Sequence, residues 1–116
     1  HICRQFEDPR DLKRSKPFLG KVYVIQDKGC ASACEAAVSN LKNISSVITI
    51  GRNTNGAIHF GNPGLLFLPA SSIQVSIPSS FTKLDDDKFY EITGIPPKVQ
   101  ISNNEDPIRV IEKKFM

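Results

Sequence analysis

Residues 21–50 read KVYVIQDKGC ASACEAAVSN LKNISSVITI, and the two ends of this stretch decide the fold. Lys21–Gln26 is rich in β-branched and aromatic residues and runs into the turn Asp27-Lys28-Gly29, which is the composition of a buried strand. Ala31–Leu41 reads as a helix. It carries Ala31, Ala33, Ala36, Ala37, Val38 and Leu41, so its buried face is expected to be narrow and small, letting it sit close to a sheet. Ser46–Ile50 returns to strand composition. Strand, helix and strand in this span have the length of a βαβ crossover, which implies parallel pairing and a right-handed connection.

Working outward, Gly51–Gly56 reads as a loop and Gly61-Asn62-Pro63-Gly64 as a turn. Leu65–Pro69 and Ser72–Ile77 read as two strands joined by Ala70-Ser71, the second alternating with Ile73, Val75 and Ile77 on one face. Ser79–Lys88 is expected to be a polar surface loop and Val99–Ile101 a short strand. Asp106-Pro107 opens a C-terminal helix with a cap and a proline at its first position, and Lys113 and Lys114 suit its last turn. The chain of 116 residues fits one domain. Residues 1–20 form a polar segment or linker, with a helical turn expected near Asp11–Ser15, and residues 21–116 form the domain proper.

Composition excludes several classes. Hydrophobic residues make up 40% and charged residues 23%, which is globular rather than disordered or fibrous. No apolar run exceeds four residues, so no membrane span is expected. The net charge is only +3, with basic residues grouped at Arg10–Lys16 and at Lys113-Lys114, and this reads as solvated surface rather than a nucleic-acid face. Three cysteines, Cys3, Cys30 and Cys34, are an odd number and do not form a closed disulfide framework. Cys30 and Cys34 could be reactive thiols near a helix N-terminus, but are expected to be buried as small hydrophobes. With His59 as the one internal histidine, no metal site is expected, and Asp85–Asp87 lacks the glycine and closing glutamate of a calcium loop.

Chemistry concentrates where the first strand enters the helix. Ser32 in Cys30-Ala31-Ser32-Ala33-Cys34-Glu35 lies at a helix N-terminus, among unpaired backbone N–H groups and the positive end of the helix dipole. Such N–H groups can hold a developing oxyanion while an activated hydroxyl attacks a carbonyl. Ser32 and Glu35 also fit a capping box, a purely structural role worth about 1 kcal/mol. Spacing alone favours the cap.

Five motifs in order carry a wider resemblance: Val22–Ile25, Cys30–Glu35, Ile48–Gly51, Thr54-Asn55-Gly56 and Glu91-Ile92-Thr93-Gly94-Ile95-Pro96-Pro97. Over about residues 20–115 the chain resembles the C-terminal half of the catalytic domain of the tail-specific, or C-terminal processing, serine peptidases, which include the tricorn proteases. The resemblance implies an α/β, crotonase-like (ClpP-like) core with a mixed sheet. It implies Ser32 as nucleophile, the Ala33 N–H as half of the oxyanion hole, a peptide or protein substrate and no cofactor. Branches with a serine–lysine dyad place lysine where this chain has Ala57. The tricorn-like branch uses a histidine and a late glutamate instead, and Glu91, in an E-x-x-G context, fits as the orienting acid. The family's histidine and its glycine-rich oxyanion strand lie upstream of the matched motifs. The chain opens on His1, so it reads as a fragment that lacks its base and is inactive alone, with an upstream catalytic subdomain as its partner. Oligomers and an exported or cell-envelope location are common among such relatives.

Departures stand beside the likeness. Lys98 replaces the aspartate expected after Pro96-Pro97, and Ile92 replaces the glycine expected after the glutamate. His59, between Ile58 and Phe60, reads as a satisfied or solvent-facing histidine rather than a base. Two functions follow: a serine endopeptidase working through an acyl-enzyme, or a non-catalytic homologue serving as a binding or scaffolding module. A plain α/β domain in which Ser32 is only a cap is the bland third.

Overall fold

A computed structural model describes residues 18–116. The expected turn near Asp11–Ser15, Cys3 and the Arg10–Lys16 group lie outside the described residues. Strand β1 (Val22–Gln26), helix α1 (Ala33–Leu41) and strand β2 (Val47–Gly51) form the crossover, with Val22 opposite Val47 and Gln26 opposite Gly51 in parallel register. Branched residues favour this pleated pairing, and the central strand is the most buried: Val47, Thr49 and Ile50 of β2 are all sealed from solvent.

Strands β3 (Phe60–Phe67) and β4 (Gln74–Phe81) form a separate antiparallel ribbon, and β5 (Val99–Gln100) joins β2 in parallel. Helix α2 (Pro107–Phe115) closes the chain, capped by the Asp106 carboxylate accepting from the Ile108 N–H at 2.9 Å. Its Phe115 packs on Tyr23 of β1, ring centroids 5.4 Å apart. The pairings expected of one mixed sheet are therefore divided between a three-stranded parallel sheet, ordered β1-β2-β5, and a two-stranded ribbon.

Three local expectations are corrected. Gly61–Gly64 is not a turn but the first half of β3, and Ser79–Phe81 extends β4 instead of starting a loop. Proline is tolerated there because Pro63 sits opposite Pro78 on a ribbon with open edges. Asn62, at φ 51°, repairs the gap with its side chain: Nδ2 donates to Ser79 Oγ at 2.9 Å, and Ser79 Oγ donates to the Asn62 carbonyl at 2.6 Å. Helix α1 does not bury its alanines. Ala33, Ala36 and Ala37 face outward, while Glu35, Val38 and Ser39 point in.

The core is correspondingly small, with Cys30, Val38, Tyr90 and Ile95 buried together and Val24, Ile58 and Leu84 packed against them. The ribbon leaves Leu65, Leu66, Phe67, Ile73 and Ile77 exposed.

Candidate active site

The parallel strands end side by side, and the segments leaving their C-terminal ends build the site, the usual place for ligands in open α/β sheets. From β1 the chain turns through Asp27–Gly29, where Gly29 N–H donates to the Asp27 carboxylate at 2.8 Å, and reaches Ser32. Ser32 has φ 53° and ψ −114°. An ordinary N-cap is extended, with negative φ. Ser32 instead takes the sharp strand-to-helix bend that projects a serine hydroxyl outward, in a region costing about 1–3 kcal/mol for a residue with a side chain. It is solvent-exposed, and its hydroxyl makes no cap hydrogen bond although it faces the first turn. Among the described residues no acceptor takes the Ala33 N–H.

Glu35 holds this bend in place. It is fully buried, and its carboxylate takes four bonds: Oε1 accepts from Thr54 Oγ1 at 2.5 Å and Gly56 N–H at 2.7 Å, and Oε2 accepts from Ala57 N–H at 2.8 Å and Ser32 N–H at 3.0 Å. Burial pushes the carboxyl up, but the bonds from Thr54, Ala57, Gly56 and Ser32 outweigh it and bring it below the ordinary value. Both reciprocal contacts of a capping box are thus in place, although the Ser32 hydroxyl forms no cap hydrogen bond, and they belong to a larger knot. Thr54 in turn accepts from Ile95 N–H at 2.7 Å, and Ile92 N–H donates to the Gly56 carbonyl at 2.7 Å. Gly94, at φ 76°, lies so close that a Cβ would collide with the Thr54 carbonyl oxygen. The Thr54-Asn55-Gly56 and Glu91–Pro97 motifs are therefore two loops clamped together around Glu35.

That clamp contains a conformational misfit. Ile92 has φ 70° and is 83% exposed, so a β-branched residue holds a left-handed backbone with little packing in return. Ile92→Gly is expected to raise stability by about 1 kcal/mol, strain relief outweighing the entropy glycine adds to the unfolded chain. Urea unfolding checks it, and a destabilised variant would show that Ile92 packs usefully.

Cys30 and Cys34 are joined by a disulfide, Cα atoms 5.2 Å apart, which corrects the reading of both as buried hydrophobes. Cys30 is buried in the core, whereas Cys34 is exposed on the first turn of α1. The bond brackets Ser32.

The other sequence candidates are placed as follows. His59 is buried, and both ring nitrogens are used: Nε2 accepts from Tyr90 N–H at 2.8 Å, which leaves Nδ1 to donate to the Thr82 carbonyl at 2.7 Å. Phe89 stacks on the ring at 4.7 Å between centroids. It is the satisfied histidine expected, with no lone pair left for Ser32. Glu91 is half-buried and accepts the His59 main-chain N–H at 3.0 Å. It does not line the cleft over Ser32. That cleft, about 250 Å³, is lined by residues that include Ser32, Ala33, Ala36, Ala57, Phe60 and Thr82, and no titratable side chain among the described residues lines it. Larger grooves, between β5 and α2 and beside Arg52, do not approach Ser32. Lys98 donates to the Val47 carbonyl at 2.9 Å and so anchors the start of β2.

The acidic loop is not merely solvated. Asp86 accepts from Tyr90 Oη at 2.6 Å and from Lys42 Nζ at 2.9 Å, pinning the loop to the end of α1. The tyrosine hydroxyl first, and the lysine ammonium second, hold the Asp86 carboxyl down at about 2. Its contribution is therefore present above the ordinary value of 3.8 and lost as pH falls through about 2. Asp86→Asn is expected to flatten the acid limb of a stability–pH curve between those two values. An unchanged curve would show the pair to be energetically silent.

No protein-family profile matches the chain, and no curated protein matches its sequence. Solved structures do. The tricorn protease aligns with TM-score 0.59 and 19% identity over 81% of this chain and 10% of its own. A photosystem II D1 C-terminal processing protease aligns at 0.53 and 21% over 71% of this chain and 20% of its own. A lipoprotein from Streptococcus agalactiae aligns at 0.56 and 18%, over 80% and 30%. The class defined by fold and bend is an α/β unit presenting a serine at a strand-to-helix turn. More particularly, the described residues share the fold of the tail-specific and tricorn-type peptidases, spanning less than a third of the length of these structures.

Proposed function

We propose that the chain supplies the nucleophile half of a serine-type endopeptidase with a crotonase-like core. Ser32 attacks the peptide carbonyl, the Ala33 N–H receives the oxyanion, and an acyl-enzyme forms before water releases it. The base is a histidine brought by an upstream catalytic subdomain outside the described residues, because His59 is locked by two hydrogen bonds. Glu91, held by the His59 N–H, orients that base. The observation that carries this reading is the Ser32 bend: a cap needs no positive φ, whereas a nucleophile presented on a strained strand-to-helix elbow takes one. The disulfide supports the exported, oxidising location that the resemblance implies.

A second reading, a non-catalytic binding or scaffolding module, is favoured by the absence of a titratable side chain along the described cleft. A fluorophosphonate probe separates the two. The chain alone is expected to stay unlabelled, and the complete protein to be labelled stoichiometrically at Ser32. Rapid labelling of the chain alone would overturn the requirement for an external base. A complete protein inert to the probe would transfer the assignment to the binding module.

A further inference from the structure

We propose that Cys30 and Cys34 are a redox modification site that sets the conformation of the Ser32 turn, with a dithiol reductant as the reacting partner. The disulfide closes a ring that contains only Ala31, Ser32 and Ala33 between its cysteines, so the bend and the neighbouring N–H both lie inside it. A backbone at φ 53°, ψ −114° persists only when its surroundings over-determine it. Beside the backbone bonds from Cys34 N–H to the Ala31 carbonyl at 3.1 Å and from Ala36 N–H to the Ser32 carbonyl at 3.0 Å, two side-chain restraints do so: the disulfide, and the Glu35 carboxylate accepting the Ser32 N–H at 3.0 Å. Reduction removes the first and leaves the second.

The released turn has a ready alternative. With φ negative, Ser32 becomes an ordinary N-cap: its hydroxyl, already against the Glu35 N–H, accepts from it as a full hydrogen bond while Glu35 keeps the Ser32 N–H, which tightens the capping box. Nucleophile and cap are then two states of one serine, selected by the oxidation state of its flanking cysteines.

The exchange is directional, because one cysteine is exposed and the other buried. A thiolate of the dithiol attacks the Sγ of Cys34, the exposed residue of the pair on the first turn of α1, and forms a mixed disulfide there. Cys30 leaves as a thiolate and takes a proton among Val38, Tyr90 and Ile95, where an apolar setting favours the thiol. The second sulfur of the dithiol then attacks its own mixed-disulfide partner. Cys34 is expelled as a thiolate at a helix N-terminus, and the reductant departs as a cyclic disulfide. Two electrons pass to the protein, one S–S bond breaks in the chain and one forms in the reductant.

The experiment uses the Cys3→Ser chain, labelled for NMR, before and after dithiothreitol, with differential alkylation to count thiols. Before reduction neither Cys30 nor Cys34 should alkylate. Reduction should expose two thiols, Cys34 reacting first, move the Ser32 Cα and Cβ shifts from positive-φ to extended values, and slow exchange of the Glu35 amide by about fivefold. The Cys34→Ser variant should match the reduced form without reductant. Free thiols in the untreated chain, or Ser32 shifts that ignore reduction, would overturn the proposal. Its consequence for turnover rests on Ser32 being the nucleophile: in the complete protein, reduction should then slow fluorophosphonate labelling. Shifts that respond to reduction in a protein that never labels would sink the peptidase reading and leave the redox site standing.

Discussion

Glu35→Ala is expected to cost about 3–5 kcal/mol and to bring the protein close to unfolding at room temperature, the usual result of stripping one partner from a buried charged network. Four donors converge on this carboxylate: the Thr54 hydroxyl and the N–H groups of Gly56, Ala57 and Ser32. Alanine leaves the Thr54 hydroxyl and Gly56 N–H, whose bonds to Glu35 are buried, without an acceptor, while the part-buried Ser32 and Ala57 N–H groups turn to water. Glu35→Gln is the sharper variant. Its amide oxygen can still serve Thr54 and Gly56, but its amide nitrogen would face the N–H groups of Ala57 and Ser32, so only the half of the knot at the Ser32 turn is lost. About 2 kcal/mol is expected for it, with the loss concentrated in hydrogen-exchange protection around Ser32. Because the Glu35 carboxyl lies below its ordinary value of 4.5 in the folded chain, the wild-type contribution is present above that value and lost as pH falls through the folded one. Glu35→Gln should therefore remove this part of the acid sensitivity. Urea unfolding measures the differences, and a loss under about 1 kcal/mol for Glu35→Ala would show that the donors find other partners.

What was legible in the sequence follows the range over which each signal acts. Periodic signals are local, and they located the parallel pairing of Val22–Gln26 with Val47–Gly51 and the Asp106 cap. The ribbon was legible at its tip and not at its base. Gly61-Asn62-Pro63-Gly64 carries turn residues, and only the partner strand, with Pro78 opposite Pro63, makes it a strand. The outward-facing alanines of α1 follow from the same limitation: the helix buries the side its hub glutamate occupies, and Glu35 counts as polar in any periodicity. Glu35 itself was readable as a local cap, since its bond to the Ser32 N–H spans three residues. Its bonds to Thr54, Gly56 and Ala57 cross from another loop, so composition could not announce them. Their signal was present in another form, as two motifs of the resemblance, Cys30–Glu35 and Thr54–Gly56, which prove to be the two halves of one contact. The disulfide was obscured by parity, because an odd cysteine count argued against pairing the two that are four apart.

Ser32→Ala is expected to lower peptide turnover of the complete protein by about 10³-fold or more, the loss seen when a serine nucleophile is removed and only binding and oxyanion stabilisation remain. Its stability should change by less than about 0.5 kcal/mol, because the Ser32 hydroxyl makes no cap bond that alanine would forfeit. A capping role gives the opposite pattern, a loss of about 1 kcal/mol with turnover intact. Ser32→Gly divides the two readings further. At φ 53° and ψ −114° alanine inherits the strain of serine, whereas glycine does not. Ser32→Gly should therefore match alanine in lost turnover while unfolding at a higher urea concentration than the wild type, by about 1 kcal/mol. A variant that is more stable and inert is the mark of a position held in an unfavourable conformation for chemistry. Should glycine destabilise the chain instead, the bend would be an ordinary helix start, and the case for Ser32 as nucleophile would lose the observation on which it rests.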